Sequence, residues 1–100
     1  MTNVIRKAID DALCEAIKPF EGKILDVSFQ GLEPLNEGVI EVTVQINTPL
    51  LDKYWPKYDD WSLVQDEAAN LEKSLSHHLG GGVEWNDTYR STGYIFSMIL

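Results

Sequence analysis

The order of patterned segments predicts an α+β fold, a two-layer αββαββ sandwich in which a four-stranded, mainly antiparallel sheet carries two helices on one face. Two amphipathic stretches with helical spacing, four stretches with strand character and a pair of glycine- and proline-bearing connections lead to it. The motif helix, strand, strand occurs twice along the chain without detectable sequence repetition, so the symmetry is one of architecture. A chain of 100 residues gives one domain, residues 1–100, with one modest core.

The first helix rests on Ile5, Ala8, Ile9, Ala12, Leu13, Ala16 and Ile17, which recur at spacings of three and four. Thr2 or Asn3 caps its start, and Pro19 and Gly22 close it. The segment KILDVSFQ then alternates, with Leu25, Val27 and Phe29 on the core face and Asp26, Ser28 and Gln30 on the other. GVIEVTVQIN alternates likewise: Ile40, Val42, Val44 and Ile46 face inward while Glu41, Thr43, Gln45 and Asn47 face outward. Pro34 to Gly38 reads as the hairpin loop between the two.

Thr48 to Asp60 holds Pro49 and Pro56 and has no sustained period, which predicts a surface crossover. In the second long helix Ser62 and Gln65 form a capping box, and Trp61, Val64, Ala68, Leu71 and Leu75 form the apolar stripe. Gly80 supplies its left-handed cap, and His77 and His78 complement the dipole in the last turn. VEWND and GYIFSMIL follow as strands joined by a turn through Tyr89 to Gly93. The last strand is almost wholly apolar, the mark of a strand covered on both faces, so it belongs inside the sheet.

Composition narrows the function classes. Sixteen acids against eight bases give a formal charge of -8, divided evenly between the two halves of the chain. Such a body repels phosphate backbones and anionic lipid surfaces, which need clustered Lys or Arg, so neither direct nucleic-acid contact nor membrane contact is expected. Its long-range field attracts basic partners. No apolar run approaches the ~20 residues of a membrane span, and the acids at Asp10 and Asp11 come too early for a signal peptide, so the expected location is the cytoplasm. A single cysteine, Cys14, excludes an intramolecular disulfide and a multi-thiolate zinc site.

Catalytic chemistry finds little support. His77 and His78 are adjacent, so on a helix they point about 100° apart and do not chelate one ion together. Cys14 projects from the polar face of the first helix near Asp10 and Asp11, where a thiolate is disfavoured. The glycines Gly80 to Gly82 follow a helix C-terminus, where the dipole has the wrong sign for a phosphate. No enzyme activity, metal or cofactor is therefore expected, with a small enzyme using His77 or His78 as the remote alternative.

The crossover is the unusual segment. DKYWPKYDDWSLVQDE places Tyr54, Trp55, Tyr58 and Trp61 among Asp52, Asp59, Asp60, Asp66 and Glu67, and from Asp59 to Glu72 five acids precede the first base, Lys73. Trp61 continues the helical stripe and belongs to the core. The other rings have no stripe to join, and a loop that buried them would bury its own polar backbone as well. Tyr and Trp dominate interface energetics, and carboxylates beside them steer a cationic partner. The expected site is Tyr54, Trp55, Tyr58, Asp59, Asp60, Asp66 and Glu67. The expected function is that of an immunity or antitoxin-type protein occluding the cleft of a basic toxin, with a nuclease as the expected target. A small dimeric secretion chaperone or assembly adaptor is the alternative, and monomer and homodimer both remain open. The outer sheet face, with Asp26, Ser28, Gln30, Glu41, Thr43, Gln45, Glu84 and Asn86, is the second-choice surface.

Overall fold

The computed structural model describes residues 3–31, 40–54, 61–89 and 93–99. Helix α1 (Asn3–Ile17) leads through a 3₁₀ turn (Lys18–Phe20) into strands β1 (Lys23–Gly31) and β2 (Ile40–Asn47). Helices α2 (Pro49–Tyr54) and α3 (Trp61–Leu79) follow, and β3 (Gly82–Tyr89) and β4 (Gly93–Ile99) complete the order. The four strands form one antiparallel sheet in the order β1-β2-β4-β3. The class is α+β, as the segment order predicts, with one addition: the first half of the crossover is helical.

Cross-strand register defines the two faces. Val42, Val44 and Ile46 pair with Met98, Phe96 and Tyr94, and all six are buried. They meet Ile9, Leu13, Ala16 and Ile17 of α1 and Val64, Ala68, Leu71 and Leu75 of α3 in one core. Each fully buried Leu or Phe in such a cluster contributes roughly 1.5–3 kcal/mol by leaving water. The helices interlock at one end, where the Ser74 hydroxyl of α3 donates to the Ala16 carbonyl of α1 at 2.6 Å and so satisfies an acceptor in the last turn of that helix. Strand β4 is central in the sheet, and its two faces differ: Tyr94, Phe96 and Met98 are buried, whereas on the opposite face Ile95 and Ser97 are half-buried and Ile99 is 57 % exposed.

Two strands depart from strict alternation. In β1 Ile24 pairs with Ile46 and Asp26 with Gln45, which leaves Leu25 as the extra residue of a bulge. Ile24 therefore packs against the core in place of Leu25, which is 46 % exposed. In β3 Trp85 pairs with Phe96 and Asp87 with Ile95, so Asn86 is the inserted residue. Both bulges fall on the outer strands of the sheet.

Helix α1 also departs from its expected stripe. Ile9, Leu13, Ala16 and Ile17 are buried, but Ile5 is 45 % exposed and Ala8 is exposed, so the packed stripe of α1 starts at Ile9. Before that point the Arg6 guanidinium lies 4.8 Å from the centre of the Phe29 ring, a cation–π contact that links the start of α1 to β1. Helix α3 begins at Trp61, so Ser62 of the expected capping box lies in its first turn, exposed. It ends as expected: Gly80 has φ +71° and its N–H donates to the Ser76 carbonyl at 2.8 Å. Gly93 has φ +70°, and a Cβ there would stand 2.2 Å from the Ile46 carbonyl oxygen, so only glycine fits the start of β4. The hairpin loop expected at Pro34 to Gly38 and the middle of the turn between Tyr89 and Gly93 lie outside the described residues. Among the described residues no helix is long and apolar enough to cross a membrane.

Candidate functional site

The crossover begins where β2 runs out. Thr48 stands immediately before Pro49, and its hydroxyl oxygen accepts the Leu51 N–H at 3.1 Å while its carbonyl accepts the Asp52 N–H at 3.1 Å. A threonine N-cap followed by proline at the first helical position explains why a six-residue helix forms here. Leu51 drops into the core, 1 % exposed, and fixes the helix to the body. The Asn47 side-chain amide donates to the Asp52 carboxylate at 2.9 Å, so exposed Asp52 is held against the end of β2.

Tyr54 closes α2, half-buried against the core, with the Lys53 ammonium 5.4 Å from its ring centre. One of the expected interface rings is thus partly committed to packing. Trp55, Tyr58, Asp59 and Asp60 lie outside the described residues. Beyond them Trp61 is half-buried against the core, as its place on the helical stripe predicts, and Asp66 is exposed on the next turns of α3.

Glu67 corrects the expected site. It is 7 % exposed, and its carboxylate accepts hydrogen bonds from the Thr48 hydroxyl and, at 2.9 Å, from the Tyr94 hydroxyl. The reason lies in helical spacing: Glu67 follows Val64 by three and precedes Leu71 by four, so it occupies the inward stripe, whereas Asp66 is turned about 100° away. That spacing was the signal that could have separated the two acids. The buried carboxylate ties together the exit of β2, the body of α3 and the start of β4. Tyr94, 0 % exposed, also lies 3.2 Å from the Val64 carbonyl. Burial first, then the charge of Glu67, then the hydrogen bond to it push the Tyr94 hydroxyl far above its ordinary pKa of 10.0. At neutral pH Tyr94 is therefore a fixed donor, and the trio acts as a clasp beneath the crossover.

The other chemistry-bearing residues stay apart. Cys14 is exposed and lines a shallow groove with Lys18 and Lys23, whereas His77 lines a different hollow with Glu72, Lys73 and Ser76. His78 donates from Nδ1 to the Ser74 carbonyl at 2.9 Å, a bond that closes the last turn of α3. Among the described residues no group of three His, Cys, Asp or Glu side chains gathers to hold a metal ion. The outer sheet face is arranged as the alternation predicts: Asp26, Ser28 and Gln30 pair with Gln45, Thr43 and Glu41, and Glu84 pairs with Ser97. Asn86 donates to the Ser97 hydroxyl across the β3 bulge.

Fold and site together define a two-layer α+β domain whose acidic crossover is clasped to the core by a buried Thr–Glu–Tyr trio. Compared with protein-family models, curated proteins and solved structures, the chain shows no significant match.

Proposed function

We propose that this chain is a protein-binding inhibitor of the immunity or antitoxin type, acting in the cytoplasm to neutralise a basic toxin of the nuclease class by covering its active cleft. The observation that carries the reading is the clasp: Asp52 is exposed within the first half of the crossover and Asp66 just beyond its end, and Glu67 is bonded to Thr48 at the crossover's start and to Tyr94. Fixed attachment points at Thr48 and Glu67 reduce the conformational freedom that Asp52 and Asp66 lose on binding. With a formal charge of -8, the body attracts a cationic cleft from a distance and presents carboxylates where phosphates would lie. Tyr54, Trp55, Tyr58, Asp59, Asp60 and Asp66 are the contact residues in this reading. Asp52 joins them, and Glu67 positions them from beneath. No catalytic role is assigned to any residue.

The test is stopped-flow association with a cognate nuclease domain. The association rate should fall by roughly tenfold or more as salt rises from about 50 to about 500 mM. The double change Asp59→Ala with Asp60→Ala should weaken binding by about 1–3 kcal/mol. A salt-independent rate, or unchanged affinity in that variant, removes the reading. A stable homodimer whose partner lacks excess positive charge replaces it with a secretion chaperone.

A further inference from the structure

We propose that the open face of the sheet carries a docking notch for a basic and apolar segment of a cationic protein, separate from the crossover. The notch is a shallow hollow of about 600 Å³ whose lining includes Glu41, Gly82, Glu84, Ser97 and Ile99. Register shows how it arises. Ile99 of β4 is flanked by Glu41 on β2 and by Gly82 on β3. Because Gly82 has no side chain, the cross-strand neighbour that would cover Ile99 is missing, and Ile99 is left 57 % exposed. Glu84, exposed, pairs with Ser97 on the same face. An apolar floor thus lies between glutamate positions on the two neighbouring strands, diagonal to each other across β4 and roughly 12 Å apart along the backbone.

Charge decides the occupant. Asp26, Glu41 and Glu84 project from this face, and among the described residues the one base whose register position falls on it, Lys23, sits at the far end opposite Asn47. A second copy of the chain would bring like carboxylates together in a body already at -8, and a nucleic acid would be repelled in the same way. A protein segment with Lys or Arg on either side of an apolar residue fits instead: the basic heads meet Glu41 and Glu84, and the apolar residue and the side-chain stems lie on Ile99. The inference shares the charge of the chain with the crossover reading but none of its residues.

A glycine at 82 is not demanded by the backbone. Its φ is not in the left-handed region, and a Cβ there would meet nothing within 4 Å. Gly82→Val therefore fills the notch without disturbing the fold, and an unchanged thermal transition checks this. The probe is a synthetic peptide of alternating Lys and Leu, followed by amide chemical-shift perturbation of the full chain. A second peptide has Glu in place of Lys, and a third has Gly in place of Leu.

The expected result is perturbation centred on Glu41, Gly82, Glu84, Ser97 and Ile99, with affinity falling about tenfold in Gly82→Val and in Glu84→Lys. Little or no response is expected to the two control peptides. Perturbation confined to Asp52, Asp66 and their neighbours overturns the notch and leaves the crossover reading standing. Equal binding by Gly82→Val, equal binding by the glutamate peptide, or concentration-dependent shifts of the same residues without peptide also overturns it. Perturbation at the notch combined with toxin binding indifferent to Asp59→Ala and Asp60→Ala removes the crossover reading alone.

Discussion

Tyr94 concentrates several constraints in one side chain. Its ring fills the core beside Phe96, with ring centres 6.2 Å apart, and its hydroxyl bonds to Glu67 at 2.9 Å. Tyr94→Phe keeps the ring and removes the donor, and should cost about 1–3 kcal/mol in denaturant unfolding. The pH dependence has a definite sign. The folded-state pKa of Tyr94 lies above its ordinary value of 10.0, so the folded chain keeps a proton that the unfolded chain releases. That stability is fully present below about pH 10 and drains away as pH rises further. The wild type should therefore lose stability more steeply than Tyr94→Phe in unfolding measured between about pH 9 and 12. Gly93 sets another residue-scale limit: with φ +70° and the Ile46 carbonyl in the way, Gly93→Ala should destabilise by more than about 2 kcal/mol in the same assay.

Among the elements, α2 tests how a short helix is held. Thr48 caps it and also donates to Glu67, so Thr48→Ala removes two bonds at once and should cost about 1–3 kcal/mol, with local loosening of residues 49–54 in amide exchange. This element is also where legibility from sequence ran out. Periodicity is informative over a dozen residues, and it identifies the stripe of α3, the second half of the stripe of α1 and the alternation of β2. Six residues between two prolines hold too few turns to show a period, so Pro49 read as a loop marker although it stood at the first position of a helix. The β1 bulge was hidden for a related reason, because one inserted residue exchanges Ile24 for Leu25 on the core face and leaves both apolar. At the site, charge and aromatic content located the crossover, yet they could not separate Asp66 from Glu67. Only the position of Glu67 between Val64 and Leu71 does so.

For the molecule as a whole, the layers depend on a core shared by the three α-helices and both inner strands. Leu71 is fully buried within it, and Leu71→Ala should cost about 2–5 kcal/mol in denaturant unfolding, since α3 cannot collapse independently onto the sheet. The two bulges of the outer strands carry a consequence at the same scale. An inserted residue kinks the ribbon and spoils the row of donors and acceptors that another polypeptide would need to continue it. Leu25 and Asn86 therefore act as built-in interruptions at both rims. Deleting both should straighten the rims and convert a well-behaved solution into one that deposits thioflavin-positive fibres on standing, while the wild type stays clear.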